Sequence, residues 1–278
     1  MLGHILWEEA RKRPIDAYAT VRRIPPGLEE FFPQERVVIG VDAERYETVF
    51  AALKEVQPNV VLNCIGVVKQ SSEINNPVKT ININSLFPHM LSRDCKRLGI
   101  RLVHMSTDCV FSGKMGLYKE SDQPDPTDFY GLSKLMGEPN EEHVLVIRTS
   151  MFGPELGKSQ GLLEWFLAQK GTTVRGFTNA VFSGFYTRSL AGLIFDIVCQ
   201  SSVSGLRHLS AEPLSKFALL ERVRDACRLP IRIVPDESVR LDRSLDSTMI
   251  RKECHLQIPK WDTMVDNLAQ DLRREGRV

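Results

Sequence analysis

With 278 residues, 42% of them hydrophobic and 26% charged, the chain can form one large or two modest domains whose core needs no disulfide or metal. Its 36 Lys and Arg balance 35 Asp and Glu, a net charge of +1, which excludes the basic footprint of a nucleic-acid binder. No apolar run reaches the roughly 18 residues of a membrane span, and the stretch from Met1 to Glu9 lacks the basic region and apolar core of a secretory signal.

The first element is a helix, with Ile5, Leu6 and Ala10 set among Trp7, Glu8, Glu9, Arg11 and Lys12. Short β-prone runs follow at 17–21 and 36–40. Tyr46, Val49, Phe50, Leu53 and Val56 then make one apolar stripe, which predicts a helix over 46–57. A strand over 59–64, a helix over 84–98 and a strand over 101–105 come next. A helix from Phe129 through Glu138 and a strand over 144–148 complete this part. The strands are near-continuous aliphatic runs, the pattern of a parallel sheet covered on both faces. After about residue 153 helices are predicted at 160–169, 187–200, 214–228 and 260–274, joined by irregular stretches. The fold class expected is therefore α/β: a doubly wound, Rossmann-like parallel sheet with a small C-terminal lobe. Such a sheet normally opens with a strand and a glycine-rich turn. Here only Met1, Leu2, Gly3 and His4 precede the helix pattern, so a first strand of on the order of ten residues is missing from the expected plan.

Tyr130 and Lys134 stand four apart in Tyr130-Gly131-Leu132-Ser133-Lys134, one turn apart on a single helix face. An ammonium beside a phenol would lower the tyrosine pKa and prepare it to protonate a developing alkoxide; a solvated helix face gives the same spacing. Ser106-Thr107-Asp108 follows the predicted strand 101–105, where a hydroxyl can hold a substrate carbonyl or simply cap a turn. The six cysteines form no C-x-x-C pair and read as reduced thiols of a cytoplasmic protein, and no metal site is expected. His104, inside an apolar strand, is expected to be a satisfied core residue. Trp165 and Trp261 are expected to pack in the core or lobe.

These motifs, with Asn63-Cys64-Ile65-Gly66, Ile83-Asn84, the run from Ser106 to Gly113, the run from Tyr130 to Glu138, and Arg148-Thr149-Ser150, resemble the extended short-chain dehydrogenase/reductases. Within them the chain is most similar to the dTDP-4-dehydrorhamnose reductase group. The resemblance implies a catalytic set of Thr107, Tyr130 and Lys134, with Asn84 as a structural support. It implies cofactor contacts from Gly3, Arg22, Arg23, Asp42, Cys64, Ile65, Gly66, Thr149 and Ser150, besides Tyr130 and Lys134. Arg22-Arg23 stand where an acid usually grips the ribose 2′-hydroxyl, and arginine there suits a 2′-phosphate, so NADPH is the expected cofactor. Asp42 could equally cap the helix that follows it. Substrate contacts would come from Lys69, Ser106, Thr107, Asn179 and Arg243, the last as a diphosphate clamp. Residues 1–153, with return elements at about 178–209, would bind NADP, and 154–278 would mainly hold substrate.

The expected reaction is reduction of the 4-keto group of a nucleotide-linked 4-keto-6-deoxy sugar, in synthesis of a surface polysaccharide precursor. Cys109 stands where sugar-nucleotide dehydratases carry the base Glu, which disfavours dehydration. An epimerase, or a non-catalytic binding or regulatory subunit with the same fold, are the alternatives. A nucleotide sugar is the expected partner, with neither nucleic acid nor membrane, and a homodimer is compatible with the chain.

Overall fold

The computed structural model describes residues 1–157 and 161–278. The helix predicted from residue 160 runs from Leu162 to Leu167, and residue 160 itself lies outside the described residues. Five short strands build the N-terminal half: β1 (Ala19–Val21), β2 (Val37–Ile39), β3 (Val60–Asn63), β4 (Arg101–Thr107) and β5 (Val144–Thr149). β3, β4, β5 and the strand Gly205–His208 form one parallel sheet with β4 and β5 central. β1 and β2 form a separate parallel pair. Among the described residues no strand bridges the free edge of β3 to this pair, so the sheet is in two pieces at the place where the expected first strand would lie.

Alternation along the central strands sends side chains into two helical layers. Val103, Met105, Leu145 and Ile147 pack with the first helix, Leu2–Ala10, and with Thr187–Gln200. Leu102, Val144 and Val146 pack on the other face against Tyr46–Val56 and Phe87–Leu98. Helices on both faces of a parallel sheet are the doubly wound arrangement. β4 runs two residues past its predicted end, so Ser106 and Thr107 belong to the strand instead of following it. Its register sets Thr107 level with Thr149 and His104 level with Asn63.

The helix Phe87–Leu98 is preceded without a break by a π-helical segment, Ile81–Leu86, and an α-helical turn, Pro77–Thr80. The Tyr130 helix spans Phe129–Leu135, stopping short of Glu138. Three smaller sheets lie in the C-terminal half among the described residues: Thr173–Phe177 with Arg232–Asp236, Ala180–Phe182 between Leu214–Ser215 and Leu241–Asp242, and Met151–Phe152 with Phe185–Tyr186. Helices Lys216–Cys227, Thr248–Glu253 and Trp261–Arg274 accompany them. Trp261 is buried against Phe152 and Phe182 as expected. Trp165 is not: its helix is short, and the ring faces outward at 41% exposure.

Candidate active site

The end of β4 and the Phe129–Leu135 helix come together by backbone contact. A Cβ on Gly131 would collide with the carbonyl oxygen of Cys109, and one on Gly137 with that of Asn84. Only glycine at both places lets the helix lie this close to the loop after Thr107 and to the π-helical segment. Asp128 starts the helix, its Oδ1 accepting from the Gly131 amide at 2.8 Å. Asn84 pins the far side. Its amide donates to Val67 O at 3.0 Å and to Ser133 Oγ at 3.0 Å, and its Oδ1 accepts from the Val67 amide at 2.8 Å. The supporting role that the resemblance implied for Asn84 thus has a visible basis.

This docking brings the Tyr130 helix against the end of β4, where the Thr107 hydroxyl donates to Asp108 Oδ1 at 3.2 Å. Thr107 Oγ1 also accepts from the Cys109 amide at 3.1 Å. Lys134 is buried one turn further on, its Nζ donating to Met105 O at 2.8 Å. Of the three side chains Tyr130 faces a cavity of about 470 Å³, lined also by Lys69, Ile74, Asn75, Pro77, Asp128 and Phe129.

The electrostatics depart from the expectation that Lys134 lowers the phenol pKa. Burial raises the Tyr130 pKa above its ordinary value. Burial also lowers Lys134 to about 8, against the pull of Glu138 and Cys64. The amine gives its hydrogen bond to a backbone carbonyl, so desolvation rules the phenol, which stays protonated throughout the neutral range. Burial pushes both the Cys64 and Cys109 thiols up to about 12, so neither is a thiolate nucleophile or a base at neutral pH.

A cationic side closes the other flank. Arg243, buried, reaches from the C-terminal half to Cys109 Sγ at 3.3 Å and Thr127 Oγ1 at 3.4 Å, and its Nε has no hydrogen-bond partner among the described residues. Lys216, its Nζ 3.5 Å over the Phe182 ring, faces Asp108. Burial lowers Lys216 to about 8, with Asp108 and Cys109 pulling upward. The same burial raises Asp108, with Lys216 and Arg243 opposing. Lys69 is tied to the helix cap, Nζ to Asp128 Oδ2 at 2.6 Å. Ser106 turns away from the cavity and donates to Glu138 Oε1 at 2.5 Å, and Glu138 in turn grips Arg148 through bonds of 2.9 and 2.7 Å. Asn179 is exposed, and among the described residues no hydrogen bond joins its side chain to this cluster.

The residues expected at the cofactor line the carboxyl ends of the strands. Ile65 and Gly66 are exposed just beyond β3, and Cys64 packs opposite the first turn of the Leu2–Ala10 helix. A Cβ on Gly3 would lie 3.7 Å from that of Cys64, ordinary contact, so the protein itself leaves room for a side chain there. Arg22 and Arg23 are exposed after β1 with no partner among the described residues. Asp42 does not cap the next helix. Its Oδ1 accepts from the Glu44 amide at 3.0 Å in a tight turn, and the helix opens at Tyr46 behind Arg45. Thr149 is buried beside Thr107 and Ser150 is partly covered. Among the described residues no group of three or more His, Cys, Asp or Glu could hold a metal ion.

Reading residues by motif passed over Asn63, His104, Lys216 and the Glu138–Arg148 pair as site neighbours. Glu138 and Arg148 each belong to a quoted motif, but only the fold brings the two motifs together. No local pattern distinguishes Lys216 from a surface lysine.

With this geometry in place the relatives can be compared. The family described as RmlD substrate binding domain matches residues 1–274. The chain belongs to this family. It is 29% identical over 182 residues to the Haloferax volcanii protein named "Probable low-salt glycan biosynthesis reductase Agl14", a match that takes in 62% of this chain and 60% of that one. The chain thus spans less than two thirds of that curated relative. A hypothetical dTDP-4-dehydrorhamnose reductase from Sulfolobus tokodaii superposes with a TM-score of 0.75 at 26% identity, over 90% of each chain. The Bacillus anthracis dTDP-4-dehydrorhamnose reductase, solved in complex with NADP, gives 0.74 over 92% of this chain and 98% of that one. At 20% identity this last likeness is one of fold.

Proposed function

We propose that the chain is an NADPH-dependent reductase of the 4-keto group of a nucleotide-linked 4-keto-6-deoxy sugar, serving synthesis of a polysaccharide precursor. What supports this reading is a protonated Tyr130 lining a cavity, on a helix that carries Lys134 one turn on and docks against the loop after Thr107. The reductase names of two relatives, one in glycan biosynthesis, and the NADP of a third support it.

The residues present fit the cofactor. The exposed, unpartnered Arg22 and Arg23 suit a 2′-phosphate, and Ile65 and Gly66 leave open backbone at a strand end beside a helix N-terminus. When bound, NADPH supplies the hydride. Thr107 holds the substrate carbonyl oxygen and Tyr130 donates its phenolic proton to it as the carbonyl carbon is reduced, giving the alcohol. Lys134 holds the nicotinamide ribose hydroxyls. Arg243 and Lys69 meet the substrate diphosphate. Asp42, Cys64, Thr149 and Ser150 line the cofactor, while Ser106 acts through Glu138. Residues 1–153 with the returning 178–209 carry the cofactor, and the remainder of 154–278 carries the sugar nucleotide.

Cys109, a neutral thiol, offers no base for dehydration. The test mixes the protein with NADPH and a dTDP- or UDP-linked 4-keto-6-deoxy sugar and follows the nicotinamide absorbance. A decay that Tyr130→Phe abolishes supports the proposal. No decay, with no NADP(H) binding by calorimetry, would favour a non-catalytic subunit.

A further inference from the structure

Behind the catalytic lysine lies a chain of polar groups that the proposed reaction does not use. Asn63 and His104 are buried neighbours on β3 and β4. Asn63 Nδ2 is 3.0 Å from His104 Nδ1, and His104 Nε2 is 3.4 Å from Lys134 Nζ. The direction of this chain can be worked out. Asn63 Oδ1 already accepts from the Ile65 amide at 3.1 Å, so the Asn63 NH₂ is the group facing the ring. Nδ1 must then be the accepting nitrogen. A neutral imidazole with a bare Nδ1 carries its proton on Nε2, and that N–H points at the lysine. The ring is neutral because burial holds its pKa well below the ordinary histidine value.

An ammonium has only donors and meets such an N–H badly, whereas an amine has a lone pair to receive it. We infer that His104 is a positioning residue: oriented by Asn63, it presents Nε2–H to Lys134 and favours the uncharged amine in the ligand-free protein. Lys134 keeps its donation to Met105 O in either state. The other ionisable groups facing the amine are Glu138, beyond its own helix, and Cys64, at the end of β3. The Met1 ammonium stands beside Cys64 in turn. Glu138 favours the charged lysine but is engaged by Arg148 and Ser106. The Cys64 thiol is neutral. The consequence for catalysis rests on the reading of Lys134 given above. An amine with a lone pair can accept from a ribose hydroxyl as well as donate to one, and the Ile65 amide couples this choice to the segment at the nucleotide side.

Two measurements on the ligand-free protein test it. In protein carrying ¹⁵N-histidine, the His104 ring should show a protonated Nε2 and a bare Nδ1; the opposite tautomer would overturn the inference without any variant. In protein carrying ¹³C-lysine, the Lys134 Cε signal, assigned by its loss in Lys134→Met, should titrate with a midpoint well below that of an ordinary lysine. Asn63→Asp keeps an acceptor for the Ile65 amide but demands Nδ1–H, which turns Nε2 into an acceptor. It should raise the lysine midpoint by at least about one pH unit, a tenfold change in proton affinity. Coincident midpoints in the two proteins, or an ordinary lysine midpoint in the wild type, would refute the inference. Neither readout involves nucleotide or sugar, so failure here leaves the proposed reaction standing, and failure of the reaction leaves the tautomer measurable.

Discussion

Tyr130 can serve as an acid only if it holds its proton until the substrate oxygen develops charge. Burial secures this by disfavouring the phenolate. Tyr130→Phe keeps the ring and removes the proton. General acid catalysis contributes on the order of 10²–10⁴-fold, so kcat should fall by that factor with little change in KM. Initial rates on the nicotinamide band check this, and a variant keeping a tenth of the wild-type kcat would remove Tyr130 from the mechanism. Lys134 contributes differently from what the four-residue spacing suggests. Its Nζ donates to Met105 O at 2.8 Å, and among the described residues no hydrogen bond joins it to the phenol.

The Phe129–Leu135 helix is placed by what it lacks as much as by what it carries. Gly131 and Gly137 lie against the carbonyl oxygens of Cys109 and Asn84, so an alanine at either must push backbone apart. Gly137→Ala should cost about 2 kcal/mol or more of stability, in the range of overpacked cores, and should shift Asn84 away from Ser133. Urea unfolding measures the first effect. An unchanged midpoint would mean that the helix can move aside freely. Just beyond the helix, the buried Glu138–Arg148 pair joins it to β5. Glu138→Gln would leave Arg148, 3% exposed and already with one nitrogen unpartnered, facing a neutral amide. Breaking such a pair costs roughly 3–5 kcal/mol, read as a lower urea midpoint at unchanged slope. These supports explain how much of the site was legible in sequence. The strand ends and the Tyr130–Lys134 spacing stand out because residue type and position in the βαβ rhythm coincide, while Arg243 comes only from the family resemblance. The glycine contacts, the Glu138–Arg148 grip and the Asn63–His104–Lys134 chain join segments far apart in the chain. Their residues look ordinary within their own segments, and β4 register alone sets His104 beside Asn63. The same limit explains Trp165, whose apolar character predicted burial that a six-residue helix does not provide.

At the scale of the whole molecule, the Leu2–Ala10 helix is bound to the C-terminal half by one guanidinium. Arg188, on the Thr187–Gln200 helix, reaches Glu8 at 2.9 Å, Glu9 at 2.6 Å and Asp271 at 2.8 Å, and Asp271 also accepts from the Tyr186 hydroxyl at 2.6 Å. This junction matters because β1 and β2 are not paired with the main sheet, so the first helix is held by packing and by these bonds instead of by a continuous ladder. Arg188→Ala would leave three carboxylates close together without their shared cation. About 2 kcal/mol of stability should be lost at neutral pH, within the range for charge-assisted hydrogen bonds. The pH dependence separates this from simple loss of packing. Burial by itself would raise the pKa values of Glu8 and Glu9. Bonds from Arg188 and Lys12 outweigh it for both, with Arg13 adding at Glu9, so the folded values lie below the ordinary 4.5. A depressed folded pKa means stability that is fully present above 4.5 and is lost as pH falls through the lower folded value. Urea midpoints at pH 7 and pH 4 should therefore fall more steeply for the wild type than for Arg188→Ala, whose carboxylates have lost most of what protonation would break. Parallel losses in the two proteins would show that the first helix is held by its apolar face alone, through Leu2, Ile5, Leu6 and Ala10.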